Sequence, residues 1–471
     1  MNAVLHDAHG FWIAEAGSPA VLPPLAGEER ADVVVVGGGY VGLWTAWHLL
    51  AADPDASVVV LEAGRCGHGP SGRNGGFVSS LDLSLPTLRA DLGSEPARAW
   101  IDAAAESLDA IGDWCQAEGV DAWYRHGGEL VVSTAPAQDG IGADAAAAWG
   151  DGPTASGDGG GVDLLDGAAA RARVDSPVIR GGVYVRRGAN VHPARLAFGL
   201  RERLLARGAR VYEGSRATGL APHPTGITVR TATGSVRART AVFALNAASG
   251  TLPPLRHRLT VSSSHIVLTE PVPDVIEALG WTGGESVSDG RALLHYTRTT
   301  RDGRILFGWA GGRMAAGARP HGRMDVDPGV AAQAERDLVR FFPALEGRRI
   351  AHAWGGPIDV SPTHRPVIVG LRGVPAWAAF GFTGNGVGPA HLFGRTLAAL
   401  SADRRDPVTR LPFVDPPPRR VPPEPLRIAG AAVIRRALVR KEAAEEAGAR
   451  PDPVTAAVAA VPGRLGLHIV R

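Results

Sequence analysis

The chain has 471 residues, with 49 basic against 47 acidic side chains and a net charge of +2. That balance argues against nucleic acid or an anionic membrane surface as the main partner. The 45% apolar and 20% charged residues are those of a folded globular protein long enough for two domains. Lys441 is the sole lysine, so a mechanism that needs a lysine amine is excluded over everything before it.

Cys66 and Cys115 are the only cysteines, too few for a disulfide framework or a zinc ribbon. His364 and His391 lack partners at ligand spacing, so no metal site is expected. No uninterrupted apolar stretch reaches the ~20 residues of a membrane span. Residues 1–30 show no basic region followed by an apolar core, so no signal peptide is expected and the default compartment is the cytoplasm.

In chain order, residues 1–30 read as a lead-in arm. Residues 32–36 are a short apolar, β-branched run suited to a buried parallel strand. Gly37-Gly38-Gly39 follows, then a helical segment over 40–50, a turn at Asp53-Pro54-Asp55 and a second buried strand over 57–61. Together they make a βαβ unit. Helices are predicted over 85–118 and a strand over 128–133. Residues 140–161, rich in Ala, Gly and Asp, read as a variable surface excursion. A strand at 182–186 precedes a helix that starts near Pro193, a favoured first-turn residue, and ends before Gly208.

Further strands are predicted at 210–213, in a hairpin of 227–230 with 235–239, and at 240–245. Residues 259–309 alternate in strand fashion, most clearly at 265–269, 292–298 and 304–309. A helix is predicted over 327–342, strands near 350–354 and 376–380, and another helix from the Gly-rich run 381–388 to about residue 402. After Asp406 the chain turns Pro-rich, as in a linker or surface strap. Residues 427–446 read as an amphipathic helix with a basic patch, and the acids Glu442, Glu445 and Glu446 make it a solvated, salt-linked one.

Three glycine-rich stretches carry the chemistry. Gly37-x-Gly39-x-x-Gly42 lies between a strand and a helix, where glycines let the backbone turn tightly and approach a pyrophosphate at the helix N-terminus. Glu62 ends the second strand, 20 residues beyond Gly42, where a carboxylate can accept from both ribose hydroxyls. The acid argues against a 2′-phosphate and leaves FAD or NAD. Gly69-Pro70-Ser71-Gly72-Arg73-Asn74-Gly75-Gly76 follows the second strand directly, small and polar enough for its N–H groups to reach a ligand. Far downstream, Gly381–Pro389 opens a helix whose positive end suits the N1–C2=O edge of a reduced flavin.

The unit at 32–62, the run Ser71-Gly72-Arg73-Asn74-Gly75-Gly76 and the helix start at 381–389 resemble the D-amino-acid oxidase superfamily of flavoproteins. Within it they resemble the bacterial glycine/sarcosine oxidase-like and γ-glutamylputrescine oxidase-like branch. Weaker likeness lies at 181–193, at Tyr296-x-Arg298 leading into 303–308, and at Trp354-Gly355-Gly356. The resemblance spans about residues 10–402. It implies a Rossmann-like FAD-binding domain interleaved with a mainly antiparallel substrate domain, α/β overall and α+β in the second domain. On that pattern residues 1–90, 181–255 and 349–405 supply the FAD-binding domain. Residues 91–180 and 256–348 supply helices and the substrate domain, and 406–471 a Pro-rich strap and C-terminal helix.

By the same resemblance Gly37, Gly39 and Gly42 face the pyrophosphate and Glu62 the adenosine ribose. Ser71, Arg73, Asn74, Gly75 and Gly76 line the flavin. Ala217 makes a backbone contact to adenine, Asn246 lies beside the phosphates, and Gly384, Asn385 and Gly386 meet the pyrimidine edge of the flavin. Candidate pocket residues are His265, Tyr296, Arg298 and Trp354. Tyr296 and Arg298 share a strand face, whereas His265 and Trp354 suit a packed strand interior better than a pocket.

Three departures from the family pattern matter. Amino-acid-oxidising relatives carry an arginine for the substrate carboxylate where this chain has Ile358, with Arg298 or Arg365 as possible substitutes. Relatives that attach FAD through a C-terminal cysteine have no counterpart here, and the position used for a histidyl linkage falls near Arg73, so FAD is expected to be non-covalent. The lysine that sarcosine oxidases hold over the flavin is missing. The expected activity is oxidation of the C–N bond of a small amine by hydride transfer to flavin N5, giving an imine that hydrolyses to an aldehyde, with oxygen or another acceptor reoxidising the flavin. Alternatives are a glycine, sarcosine or D-amino-acid oxidase or dehydrogenase, an NAD-dependent dehydrogenase, and a non-catalytic flavin-binding subunit.

Overall fold

Two large sheets share the chain, and each is assembled from separated segments. The computed structural model describes residues 5–150 and 161–467. The first sheet is centred on strand Gly27–Val36, which pairs in parallel with Val58–Leu61 on one side and Gly234–Phe243 on the other. Val58–Leu61 in turn pairs in parallel with Arg210–Tyr212. Val33, Val35, Val58 and Val60 pack into one core, while Val34, Val36, Val59 and Leu61 pack into another on the opposite face. The uninterrupted apolar run in the sequence is thus a strand buried on both sides.

The predicted strands over 235–239 and 240–245 are one continuous strand, Gly234–Phe243. Its first half pairs antiparallel with Gly226–Arg230, and its last residues pair in parallel with Ala376–Phe380. Helices Tyr40–Ala52 and Val387–Ser401 pack side by side over this sheet; a methyl on Gly394 would run into Trp44. The helical stretch predicted over 85–118 is broken at Gly93 into Leu85–Leu92 and Ser94–Ala117.

The second sheet has nine strands in the order Leu5–His6, Ile350–Val360, Thr260–Thr269, Ile305–Trp309, His295–Thr299, Ser286–Asp289, Glu129–Ser133, Gly181–Val185 and Val162–Asp166. It is antiparallel apart from the first pair and the pairing of Ser286–Asp289 with Glu129–Ser133. Helix Pro328–Phe341, capped by the Asp327 side chain, packs on one face through Val330, Ala334, Leu338 and Phe341. The other face looks toward the first sheet.

The arm at 1–30 is more structured than the sequence suggests. Leu5–His6 adds an edge strand, and helix Phe11–Ala16 buries Phe11, Trp12 and Ile13 against Trp354 and Ile266. In the segment 140–161, Ala143–Gly150 is helical with Trp149 buried, and residues 151–160 lie outside the described residues. Beyond the Pro-rich stretch come helices Leu426–Glu446 and Pro453–Ala459. Among the described residues no helix is long and apolar enough to cross a membrane.

Candidate functional site

A cavity of about 740 Å³ lies between the carboxyl ends of the parallel strands and the inner face of the nine-stranded sheet. Ligands of open α/β sheets bind at this end, because the loops and helix N-termini converge there.

Gly37, Gly39 and Glu62 line the cavity. Gly37 sits at φ +116°, and a side chain there would overlap the carbonyl oxygen of Ala244. Gly39 caps helix Tyr40–Ala52, whose first turn opens into the cavity. Gly42 is not part of the wall. A methyl at Gly42 would overlap the carbonyl oxygen of Gly37, so the third glycine serves to seat the helix against the turn. The Glu62 carboxylate accepts from the Gly38 and Gly64 N–H groups, each at 2.7 Å. Burial raises its pKa, while these two donors pull the other way. A carboxylate offers about four acceptor positions, so acceptor capacity remains for a ligand. Ala217 lines the same end beside Arg216 and Thr218.

The segment after the second strand is a short helical turn, Pro70–Arg73, held by its own polar groups. Ser71 Oγ accepts from the Tyr40 N–H at 2.9 Å, tying this turn to the first glycine motif. Asn74 donates to the carbonyls of Pro70 and Ser71 and accepts from the Gly76 N–H at 2.6 Å. Ser71, Arg73, Asn74 and Gly75 line the cavity, whereas Gly76 stands behind it. The Gly76 carbonyl accepts from Arg298 Nη1 at 3.2 Å and from the Val191 N–H at 2.8 Å. Arg73 pairs with Asp325 at 2.8 Å.

Gly384, Asn385 and Gly386 lead into helix Val387–Ser401 and line the far wall. The loop before them is held by Asp359, a fully buried carboxylate that sequence reasoning missed. It accepts from the N–H groups of Gly381 and Phe382 and from Asn246 Nδ2 at 3.2 Å. Burial pushes its pKa up to about 7. The available signal was an acid inside the mostly apolar strand Ile350–Val360. Asn246, itself in the cavity wall, is thereby locked to the same loop.

On the sheet side, Tyr296 and Trp354 line the cavity, together with Ser264, Ile266 and Ile358. Tyr296 and Ser264 share a hydroxyl hydrogen bond of 2.7 Å. Burial pushes the phenol up to about 12, so it stays neutral at working pH. Trp354 Nε1 donates to the Arg73 carbonyl at 2.7 Å.

Two of the four expected pocket residues are displaced. Arg298 follows Tyr296 on the same strand face but lies one layer out, against Gly76 and over the Trp12 ring at 5.1 Å. His265 points to the opposite face, beside Ser263 Oγ at 3.1 Å and Gly355. Its strand neighbours Ser264 and Ile266 take the cavity face, as the two-residue period of a strand requires. Burial drives the His265 pKa down to about 4, so it is neutral at pH 7. Among the described residues no group of three or more His, Cys, Asp or Glu is placed to hold a metal ion.

The profile of a family described as FAD dependent oxidoreductase matches residues 32–400. The gamma-glutamylputrescine oxidoreductase of Escherichia coli is 32% identical over 428 residues, covering 90% of this chain and 96% of the relative. A probable oxidoreductase, OrdL, of Rhizobium meliloti is 28% identical over 84% of this chain and 89% of its own length. Among solved structures, glycine oxidase from Geobacillus kaustophilus superposes with a TM-score of 0.65 at 20% identity, over 82% of this chain and 98% of that one. L-proline dehydrogenase from P. horikoshii gives 0.66 at 18% identity, over 83% and 96%.

Proposed function

The chain belongs to this family of FAD-dependent oxidoreductases, and on that premise we propose that it oxidises the C–N bond of a small amine whose reacting carbon bears no carboxylate. The residues present suit FAD. A turn in which only glycine fits leads into a helix N-terminus, as a diphosphate needs. Glu62 keeps acceptor capacity for a ribose. A second helix start lies across the cavity for the ring. In this assignment Gly37, Gly39 and Asn246 hold the diphosphate, Glu62 the ribose and Ala217 the adenine. Ser71, Arg73, Asn74, Gly75, Gly384, Asn385 and Gly386 surround the ring, with Gly42 and Gly76 supporting the turns behind.

Bound there, FAD supplies the two-electron acceptor for hydride removal from the carbon next to the amine nitrogen. The protein must first favour the neutral amine over the ammonium. Ile266, Ile358 and Trp354 make much of the sheet-side wall apolar, so desolvation acts against the protonated form. The Tyr296 and Ser264 hydroxyls, polar groups on that wall alongside Glu129 and Ser288, orient the substrate nitrogen. The imine left by hydride and proton loss takes up water to give an aldehyde and the released amine.

The observation that carries the choice of substrate is the state of the arginines. Ile358 occupies the wall where a carboxylate anchor is expected. Arg298 is turned to the Gly76 carbonyl, Arg365 pairs with Asp91 at 2.7 Å, and Arg73 pairs with Asp325. Arg73 is also the one feature that favours an amino-acid substrate, since it lines the cavity. Anaerobic mixing of the holoenzyme with putrescine, γ-glutamylated amines, sarcosine, glycine and D-alanine tests the reading. Amines without an α-carboxylate are expected to bleach the flavin absorbance fastest. Faster bleaching by glycine or D-alanine overturns the choice. Peroxide formed per reduced flavin then distinguishes oxygen from another acceptor.

A further inference from the structure

The first cavity does not end at the sheet. A second chamber of about 930 Å³ adjoins it, and Glu129, Ser288, Leu294, Ala310 and Ile358 line both. Its outer wall is the C-terminal helix Leu426–Glu446, through Leu426, Ile434, Arg435 and Leu438. This helix lies beyond residues 32–400, where the family profile ends. It is fastened to the sheet at its far end: Glu442 accepts from the Leu293 N–H at 3.1 Å, and Glu446 pairs with Arg291 and Arg340.

Four arginines line the second chamber, and three are neutralised by carboxylates. Arg291 is paired with Asp289, Arg365 with Asp91 and Arg427 with Glu424. Arg435 is different. Its Nε donates to the carbonyls of Gly311 and Gly312 at 3.0 and 2.8 Å, and its ring neighbour is Trp309 at 5.8 Å. Among the described residues it forms no ion pair. Carbonyls orient a guanidinium without cancelling its charge, and the nearby Asp327 carboxylate is already shared between Arg313 and Arg323, so the half-buried Arg435 is short of negative charge and can take an anion. The carbonyls that hold it follow directly on Ala310, which stands at the junction of the two chambers.

We propose that Arg435 is a specificity residue: the substrate is an extended amine that reacts in the first chamber and carries, at its far end, a carboxylate held by Arg435 in the second. This rests on the amine reading above and extends it to the far half of the substrate. Burial lowers the pKa of Arg435, which fits a site that an anion would relieve.

The probes are 6-aminohexanoate and 8-aminooctanoate against hexylamine and octylamine. Binding to oxidised holoenzyme is read by the shift in flavin absorbance, and turnover by anaerobic flavin reduction. The unmodified enzyme is expected to bind at least one ω-amino acid more tightly than the alkylamine of equal length. Arg435→Gln should shrink that ratio about tenfold or more, the worth of one charge-assisted hydrogen bond. Arg435→Lys, which keeps the charge, should restore part of it. Equal binding by acid and alkylamine, or a ratio that Arg435→Gln leaves in place, overturns the proposal. If the ω-amino acids bind in an Arg435-dependent way yet no amine reduces the flavin, the reaction assignment fails and the anion site stands. If every amine reduces the flavin without discrimination, the reverse holds. Should Arg435→Gln not retain FAD, Ile434→Trp, which fills the same chamber, must lower the same ratio.

Discussion

At the glycine-rich end of the cavity, backbone supplies most of the surface. Gly37, Gly39, Gly75, Gly384 and Gly386 bring main chain to the wall, and Ser71, Asn74 and Asp359 use their polar atoms to hold loops in place. At the sheet-built end the surface is side chain. Ser264, Ile266, Tyr296, Trp354 and Ile358 come from three strands that meet only in the folded sheet. The first wall is specified by where a Cβ cannot go, and such a constraint tolerates almost no substitution. The second is specified by what protrudes, which can change while the sheet persists. On the function proposed above, cofactor binding belongs to the first wall and the choice of substrate to the second.

The sharpest way to break this comparison is to add one side chain directly behind the backbone wall. Gly42→Val puts a branched group into the Gly37 carbonyl. Overpacking of this kind costs on the order of 3 kcal/mol, so FAD affinity should fall about a hundredfold. Flavin absorbance per purified chain reads it, and a variant that purifies fully loaded would refute the role given to this turn. Next comes Asp359→Ala, which strands the N–H groups of Gly381 and Phe382. Unpaired buried donors cost about 1–3 kcal/mol each, and FAD binding to the apoprotein should weaken about tenfold. Unchanged affinity in a fluorescence titration would mean that the loop holds without it.

The side-chain wall should respond differently. Tyr296→Phe removes the hydroxyl bonded to Ser264 and should lower kcat/KM for the amine about tenfold, with FAD content retained. Loss of FAD instead would merge the two walls into one.

The smallest effect on activity, none at all, is expected at His265, which the sheet turns away from the cavity. Its folded pKa of about 4 lies below the ordinary histidine value of 6.5. The unfolded chain therefore binds the proton more readily, and the stability from burying this ring in its neutral form is complete above pH 6.5 and is lost as the pH falls toward 4. The loss amounts to about 3 kcal/mol. His265→Gln should flatten that part of the stability curve, seen by denaturant melts at pH 7.5 and 5, without moving the pH profile of kcat/KM. A shifted activity profile would return His265 to the pocket.

Local signals were legible where local physics is decisive. The βαβ unit, Glu62 and both helix starts follow from short-range rules about apolar runs, glycine and helix ends. Asp359 was hidden because its three partners are more than 20 residues away. His265 was placed one residue out of phase because alternation tells which residues share a face, not which face looks inward. Trp12, far from the pocket in sequence, lies against Arg298 through a contact between distant segments, which no local pattern reveals.

The sequence by itself determined a glycine-built cradle for a dinucleotide, and one cation question: with Lys441 as the sole lysine, any charge beside the ring must come from arginine or histidine. The tertiary structure decided between them. It set Arg73 in the cavity wall, Arg298 behind Gly76 and a neutral His265 on the far face. It also brought Arg435 to a chamber that shares wall residues with the first. The reason is physical: a turn or a helix start is fixed by neighbours a few residues apart, whereas the side of a sheet that becomes a cavity is fixed by what packs against the other side.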